Sequence, residues 1–278
     1  MIDGAVSLRA ALRRRPGVFF GAAVLILLAI AAFVGPHLLP HSHTQQDLTN
    51  ILGPPSPAHP LGTGRLGEDV LALCLRGLQK SLVIGLLAAV LTTVLAAAIG
   101  TVAGYLGGKT DRALMTVVDI LLVLPPILVV AVLSPALRGQ SWLVLIVLIS
   151  AFQWMLTSRV VRARARSLRT SGFVIAAENM GASTARIITR HMLPQMAPLL
   201  IIDCTMNVAT AVLTEAGLSY FGFGVQPPDV SLGTLVATGT GSALTFPWVF
   251  VAPVGFLAAT VLATAVLGEG LRDDERTP

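Results

Sequence analysis

Asp119, Asp203 and Glu215 are isolated acids inside long apolar runs of this 278-residue chain. Ionised groups in such runs are costly and face a cavity, a partner or a hydrogen-bonding neighbour. Two chemistries follow. The acids either hold backbone or a neighbouring helix, or they contact a solute amine or carry a proton along a pathway. No Lys or Arg stands in the same runs to pair with them. Gly108-Lys109-Thr110 comes close to the phosphate loop G-x-x-x-x-G-K-S/T, but Ala103 fills the leading glycine position and the segment closes an apolar helix where a phosphate loop follows a strand. It reads as a turn with a lysine. His37, His41 and His43 cluster after the first apolar run. With no carboxylate or thiolate companion they read as solvated side chains, and no metal is assigned to them. Cys74 and Cys204 fall in different segments, one in a loop and one in an apolar run, which argues against a disulfide. No nucleophile has a nearby base, so the chain is read as a non-enzyme that binds no cofactor of its own.

The elements that must position these residues follow from composition. Hydrophobic residues make up 54% of the chain and charged residues 12%, against roughly 25% charged in soluble domains. So few charges cannot cover a water-facing surface. A bilayer crossing needs roughly 17–25 mainly apolar residues, and six stretches qualify: 18–39, 82–105, 113–133, 142–156, 197–219 and 248–267. The predicted fold is therefore an all-α integral membrane domain of six transmembrane helices over 18–267, with a cytoplasmic segment 1–17 and a cytoplasmic tail 268–278. Asp119 falls in the third span, Asp203 and Glu215 in the fifth. Pro125-Pro126 should kink the third span by deleting backbone donors, and the Gly/Ser/Thr-rich stretch before the sixth reads as a loop or surface-lying segment.

Most of the 19 basic residues fall on one side of these spans, in Arg9 and Arg13 to Arg15, Lys109 and Arg112, the stretch from Arg159 to Arg190, and Arg272 and Arg276. Only Arg65, Arg76, Lys80 and Arg138 fall on the other. Basic loops are retained inside, so both termini are placed in the cytoplasm. Topology thus accounts for the net charge of +5 without a nucleic-acid partner. The first apolar run follows Arg13 to Arg15 as a signal peptide would, but it exceeds the usual h-region and reads as a retained span.

One loop, 159–196, is long enough to be functional. Arg159, Arg162, Arg166 and Arg169 recur at helical steps along one face, as a basic stripe toward lipid phosphates would. Phe173 to Met180 suits two helical turns, Gly181 suits a left-handed stop, and Ser183 suits the cap of a second helix that Pro194 ends. Small residues at Ala176, Ala177 and Gly181 would let another protein approach the backbone closely, as a helix-in-groove contact requires.

The segment from Phe173-Val174-Ile175-Ala176-Ala177 through Gly181 to Leu193-Pro194 resembles the EAA signature of ABC-importer permeases. Ile175 occupies the glutamate position, and Glu178 stands where related permeases often carry a basic residue. Three other segments narrow the resemblance to the C-type permeases of the dipeptide, oligopeptide and nickel family. His59-Pro60-Leu61-Gly62-Thr63 with Gly67-Glu68-Asp69-Val70 is similar to its HPLGTD-x-x-GRDV loop. Thr214 to Pro228 is similar to its EASLSFLGLGVQPP stretch, and Gly268 to Asp273 to its GDGLRD ending.

The resemblance implies a permease subunit that couples through Ala176, Ala177, Glu178 and Gly181 to two separate ABC ATPase subunits, where ATP and Mg would bind. It further implies a second, B-type permease, an extracytoplasmic substrate-binding protein and a bacterial inner membrane. Dipeptides, oligopeptides, nickel and other small solutes all remain open as cargo. A stand-alone ion-coupled secondary transporter is the other class; it predicts paired interrupted helices in two repeat halves, and none stands out.

Overall fold

The computed structural model describes residues 16–137 and 142–276. Arg9, Arg13, Arg14, Arg15 and Arg138, which the charge count used, lie outside the described residues, as does nearly all of the 1–17 segment. The described chain is helical: α1 (Pro16–Leu38), α2 (Val70–Leu106), α3 (Gly108–Val123), α4 (Pro126–Leu137), α5 (Leu143–Arg169), α6 (Gly172–Asn179), α7 (Thr184–Arg186), a π-helical turn (Ile187–Met192), α8 (Leu193–Tyr220), α9 (Leu232–Thr240) and α10 (Trp248–Arg276). Among the described residues β structure is limited to two isolated bridges, Gln46 with Glu68 and Thr63 with Asp69.

Among the described residues five helical stretches are long and apolar enough to cross a membrane: Gly17–Leu38, Val70–Leu106, Leu143–Arg169, Thr184–Tyr220 and Trp248–Asp273. The expected third span, 113–133, is not one helix. Pro125 and Pro126 interrupt it outright, with α3 ending at Val123 and α4 starting at Pro126, because two successive prolines remove donors that the helix interior needs.

Two expected helices are longer than their apolar cores. Helix α2 has 37 residues and begins at Val70, before the charged Arg76 and Lys80, because the Asp69 side chain caps it by accepting from Ala72 N at 2.8 Å. Its buried Cys74 therefore belongs to a helix and not to a loop. At 1.5 Å per residue α2 is ~55 Å long, well beyond a hydrocarbon core of ~30 Å. Helix α5 continues past the expected end at 156 and carries the arginine stripe to Arg169.

Pro194 does not end the second helix of the 159–196 loop, contrary to expectation. The chain stays helical from Thr184 to Tyr220. The π turn supplies the reason: Leu193 N donates five residues back to Ile188 O, and this wider turn brings Pro194 in among the first residues of α8, where no donor is needed.

Helix α2 is the centre of the bundle, in contact with α1, α5, α8, α9 and α10. It meets α5 at backbone distance. A Cβ on Gly100 would stand 2.6 Å from Ser158 O, and one on Gly104 would stand 2.6 Å from Arg162 O. Small residues four apart permit such close helix contact in membranes. Gly100→Ala and Gly104→Ala are each expected to cost about 1–3 kcal/mol by overpacking, read as a lower melting midpoint of the purified protein in nanodiscs. Parental melting in both variants would contradict the close approach.

The faces turned away from the bundle are apolar, with Phe20, Ile26, Leu27, Val123, Val132 and Leu262 all exposed. Such continuous apolar surface suits lipid or partner helices and not water.

Candidate functional site

Helix α6 and the turn after it form a fixed unit at the end of the bundle opposite the 39–69 segment. Ser171 starts α6 in extended conformation, and Gly181 closes it at φ +77°. Ala182 N donates to Ala177 O at 3.0 Å and Gly181 N to Glu178 O at 2.9 Å, the paired bonds of a Schellman stop. Ser183 then caps the next helix by accepting from Arg186 N at 3.4 Å.

This unit has an inner and an outer face. Val174 and Ala177 are buried in a cluster with Tyr105, Val161, Leu168, Ile187 and Met192. Ala177 therefore packs against its own chain, so the expectation that it meets a partner's surface is corrected: helical periodicity turns positions 174 and 177 inward together. Glu178, although exposed, accepts from the Tyr105 hydroxyl at 2.9 Å and ties α6 to the end of α2. The outward side carries Ala176, with Phe173, Ile175 and Met180 as exposed large apolar residues; Met180 is 80% exposed. Nothing lies within 4 Å of a Cβ built on Gly181.

Three arginines of the stripe beside it, Arg159, Arg162 and Arg166, are paired. Arg162 Nε and Nη2 reach Asp111 at 2.5 and 2.7 Å, and Arg166 Nη2 reaches the same carboxylate at 2.7 Å. Arg159 Nη2 reaches Asp119 at 2.5 Å. Asp119 thus has a cationic partner, which counting within one apolar run missed because the partner comes from the adjacent helix α5. Asp111 was missed altogether. Its arginine partners lie 51 and 55 residues away in sequence, so only the packing of α3 on α5 gives it a role.

Glu215 is fully buried and serves as a hub. Ser81 Oγ of α2 donates to Oε2 at 3.2 Å; Ser219 Oγ of α8 and Ser231 Oγ donate to Oε1 at 2.6 and 2.7 Å. Each serine oxygen also accepts a backbone N–H: Ser81 from Leu232, Ser219 from Val225 and Ser231 from Thr234. One carboxylate therefore joins α2, α8 and the capped start of α9. Asp203 is half-buried, accepts from Asn207 Nδ2 at 2.9 Å, and sits beside Thr157 of α5 through the same Asn207. The structure brings none of the three acids Asp119, Asp203 and Glu215 together.

At the other end, the 39–69 segment folds over the start of α2. Asp47 N donates to Gly67 O at 2.9 Å, and Thr49 donates to Asp47 Oδ1 through its hydroxyl at 2.6 Å and its amide at 3.0 Å. Those Thr49 bonds hold the Asp47 carboxyl below the usual carboxylate range. His59 is buried, with Nδ1 2.8 Å from Asp69 Oδ2. His41 lies against it, ring centroids 4.7 Å apart and ring planes tilted by 38°. His41 has carboxylate neighbours after all, Asp69 in the same cluster and Asp47 on the same cavity. Between this segment and α9 lies a cavity of about 480 Å³ lined by Val70, Leu73, Val225 and Pro227, with Arg65, Glu68 and Asp229 as charged groups; Asp229 pairs with Lys80 at 2.9 Å.

Residues 96–271 match the family described as binding-protein-dependent transport system inner membrane component, and residues 8–55 match the N-terminal transmembrane domain of oligopeptide transport permease C. The oligopeptide transport system permease protein OppC of Mycobacterium tuberculosis is 48% identical over 252 residues, covering 90% of this chain and 87% of that protein. The dipeptide transport system permease protein DppC of Bacillus subtilis is 35% identical over 255 residues, covering 91% of this chain and 79% of that protein. Among solved structures, the MetNI methionine ABC transporter in an inward-facing conformation is similar with a TM-score of 0.57 at 20% identity, covering 72% of this chain and 95% of that chain.

Proposed function

Because this chain belongs to the family of binding-protein-dependent transport system inner membrane components, we propose that it forms half of the solute pathway of an ATP-driven peptide importer and is moved through residues 172–192 by separate ATPase subunits. It is a permease subunit of an ABC importer. Peptide cargo rests on relatives named as oligopeptide and dipeptide permeases. The other half of the pathway is a second, B-type permease. Two ABC ATPases bind ATP and Mg, and an extracytoplasmic binding protein delivers the peptide.

In this reading α3 and α4, broken at Leu124 and Pro125, together make the sixth crossing. Both termini and the α6 unit face the cytoplasm of a bacterial cell, and the 39–69 segment faces outward across the inner membrane. The observation that carries the proposal is the two-faced α6 unit: its inner face is bonded and packed onto α2 and α5, while its outer face presents Ile175, Ala176 and Met180 with nothing of this chain upon them. A rigid projection of that kind transmits displacement, and rigid-body movement of packed helices is what alternating access requires. Ala176 and Gly181 serve the contact itself; Ala177 and Glu178 serve it by holding the projection to the bundle.

Reconstitution provides the test. Proteoliposomes holding this chain, the second permease and both ATPases are expected to take up a labelled oligopeptide only with ATP and binding protein. Peptide uptake by this chain alone under an ion gradient would replace the proposal with a secondary transporter, and ATP-driven uptake of nickel but not peptide would replace the cargo.

A further inference from the structure

The geometry points to a divalent transition-metal site in the 39–69 segment, with Zn2+ as its reference occupant, held by His41, His59 Nε2 and Asp47 Oδ2. His41, His59 and Asp69 offer ligand atoms within 4.8 Å of one another. Two of these are already committed to each other: His59 Nδ1 lies 2.8 Å from Asp69 Oδ2. A carboxylate on one ring nitrogen is the usual support of a metal-binding histidine, because it fixes the tautomer and leaves the other nitrogen's lone pair free. Asp69 is itself immobilised, since its Oδ1 caps α2 through Ala72 N.

The nitrogen so prepared, His59 Nε2, stands 3.8 Å from Asp47 Oδ2. That is too long for a hydrogen bond, yet close to the roughly 3.4 Å that separates two ligands of a tetrahedral zinc ion. Asp47 is aimed as well. Its Oδ1 is taken by Thr49, its backbone is bonded to Gly67, and a Cβ on Gly67 would overlap Asp47 O, so only glycine, here at φ +77°, permits the approach.

The third member is His41, whose Nδ1 is buried with no hydrogen-bond partner. An orphaned buried nitrogen of this kind is costly unless something occupies it. His41, Asp47, His59 and Gly67 border one cavity of about 190 Å³, shared with Gln45 and Gln46, which is room for an ion and a water. A bare His59–Asp69 pin of α2 would explain the Nδ1 contact alone. It leaves the His41 nitrogen, the free Asp47 oxygen and the cavity between them without a purpose. Two imidazoles with a carboxylate suit zinc and its neighbours in the first transition row and not calcium or magnesium.

The test uses the full-length chain, purified from membranes with its co-purifying subunits, reconstituted in nanodiscs and stripped with a chelator. Zn2+ is titrated against a chromophoric competitor, and Co2+ absorption is recorded as a coordination signature. The parent chain is expected to retain one equivalent. His41→Ala and Asp47→Asn are each expected to weaken retention at least ~10-fold, and Asp69→Asn by about 10–100-fold, through loss of the support behind His59. His37→Ala and His43→Ala should bind as the parent does, and metal-free melting of His41→Ala and Asp47→Asn should match the parent, which separates ligand loss from unfolding. No Zn2+ on the parent chain, equal retention in His41→Ala and Asp47→Asn, or equal loss in His37→Ala would each overturn the site.

Discussion

Glu215→Ala is expected to deplete the folded permease from the membrane, whereas Glu215→Gln should keep both its abundance and its uptake within about twofold of the parent. The difference follows from who donates to whom. Each of Ser81, Ser219 and Ser231 uses its oxygen to accept a backbone N–H and its proton to reach Glu215. Alanine strips the acceptor from three buried hydroxyls at once and opens a cavity where α2, α8 and α9 meet. A buried polar group left unsatisfied costs about 1–3 kcal/mol, and a protein has only about 5–15 kcal/mol in all. Glutamine keeps a carbonyl oxygen for Ser219 and Ser231, and its amide can donate to Ser81, whose second lone pair is free. Size-exclusion profiles and melting curves from solubilised membranes read the first half, and labelled-peptide uptake reads the second. A Glu215→Ala chain that accumulates and melts like the parent would remove the hub from the account of stability. A folded Glu215→Gln chain without uptake would instead assign the carboxylate charge to transport.

The second large effect concerns coupling. With Ile175→Asp and Met180→Asp combined, peptide uptake and peptide-stimulated ATPase activity of the reconstituted importer should fall about tenfold or more, since buried apolar contacts dominate such interfaces. Melting should not change, because both side chains face away from this chain's own core. Gly181→Val tests the same surface through the backbone. It has open space around it, so within this chain it costs about 1–2 kcal/mol of left-handed strain, and any further loss of coupling reflects the partner pressed against it. Ala177→Leu is the counter-case: with Ala177 buried against α2 and α5, it should lower melting by overpacking about as a core substitution does. Parental coupling in the Ile175→Asp, Met180→Asp double variant would remove α6 from the mechanism.

The helical, membrane-spanning character was legible in the sequence by itself, because burying backbone in lipid requires long uncharged runs, and five of them recur as helices. The α6 turn was legible too. Gly181 and Ser183 act through their own φ angle and hydroxyl, which are local properties. Even the cap Asp69 stands directly before an apolar helical run, where such a signal can be read.

What tertiary structure alone decided are the relations between elements. Apolar patterning marks Ala177 as small but not as inward, and it marks Asp119 as lone although Arg159 meets it from another helix. Pro194 reads locally as a stop and is absorbed by a π turn. The serines around Glu215, and the joining of His41 and Asp47 to His59, come from positions up to 150 residues apart whose side chains carry no common period. Local propensity acts over a few residues, whereas a hydrogen-bond hub or a ligand set exists only once packing has fixed where separate helices and loops meet.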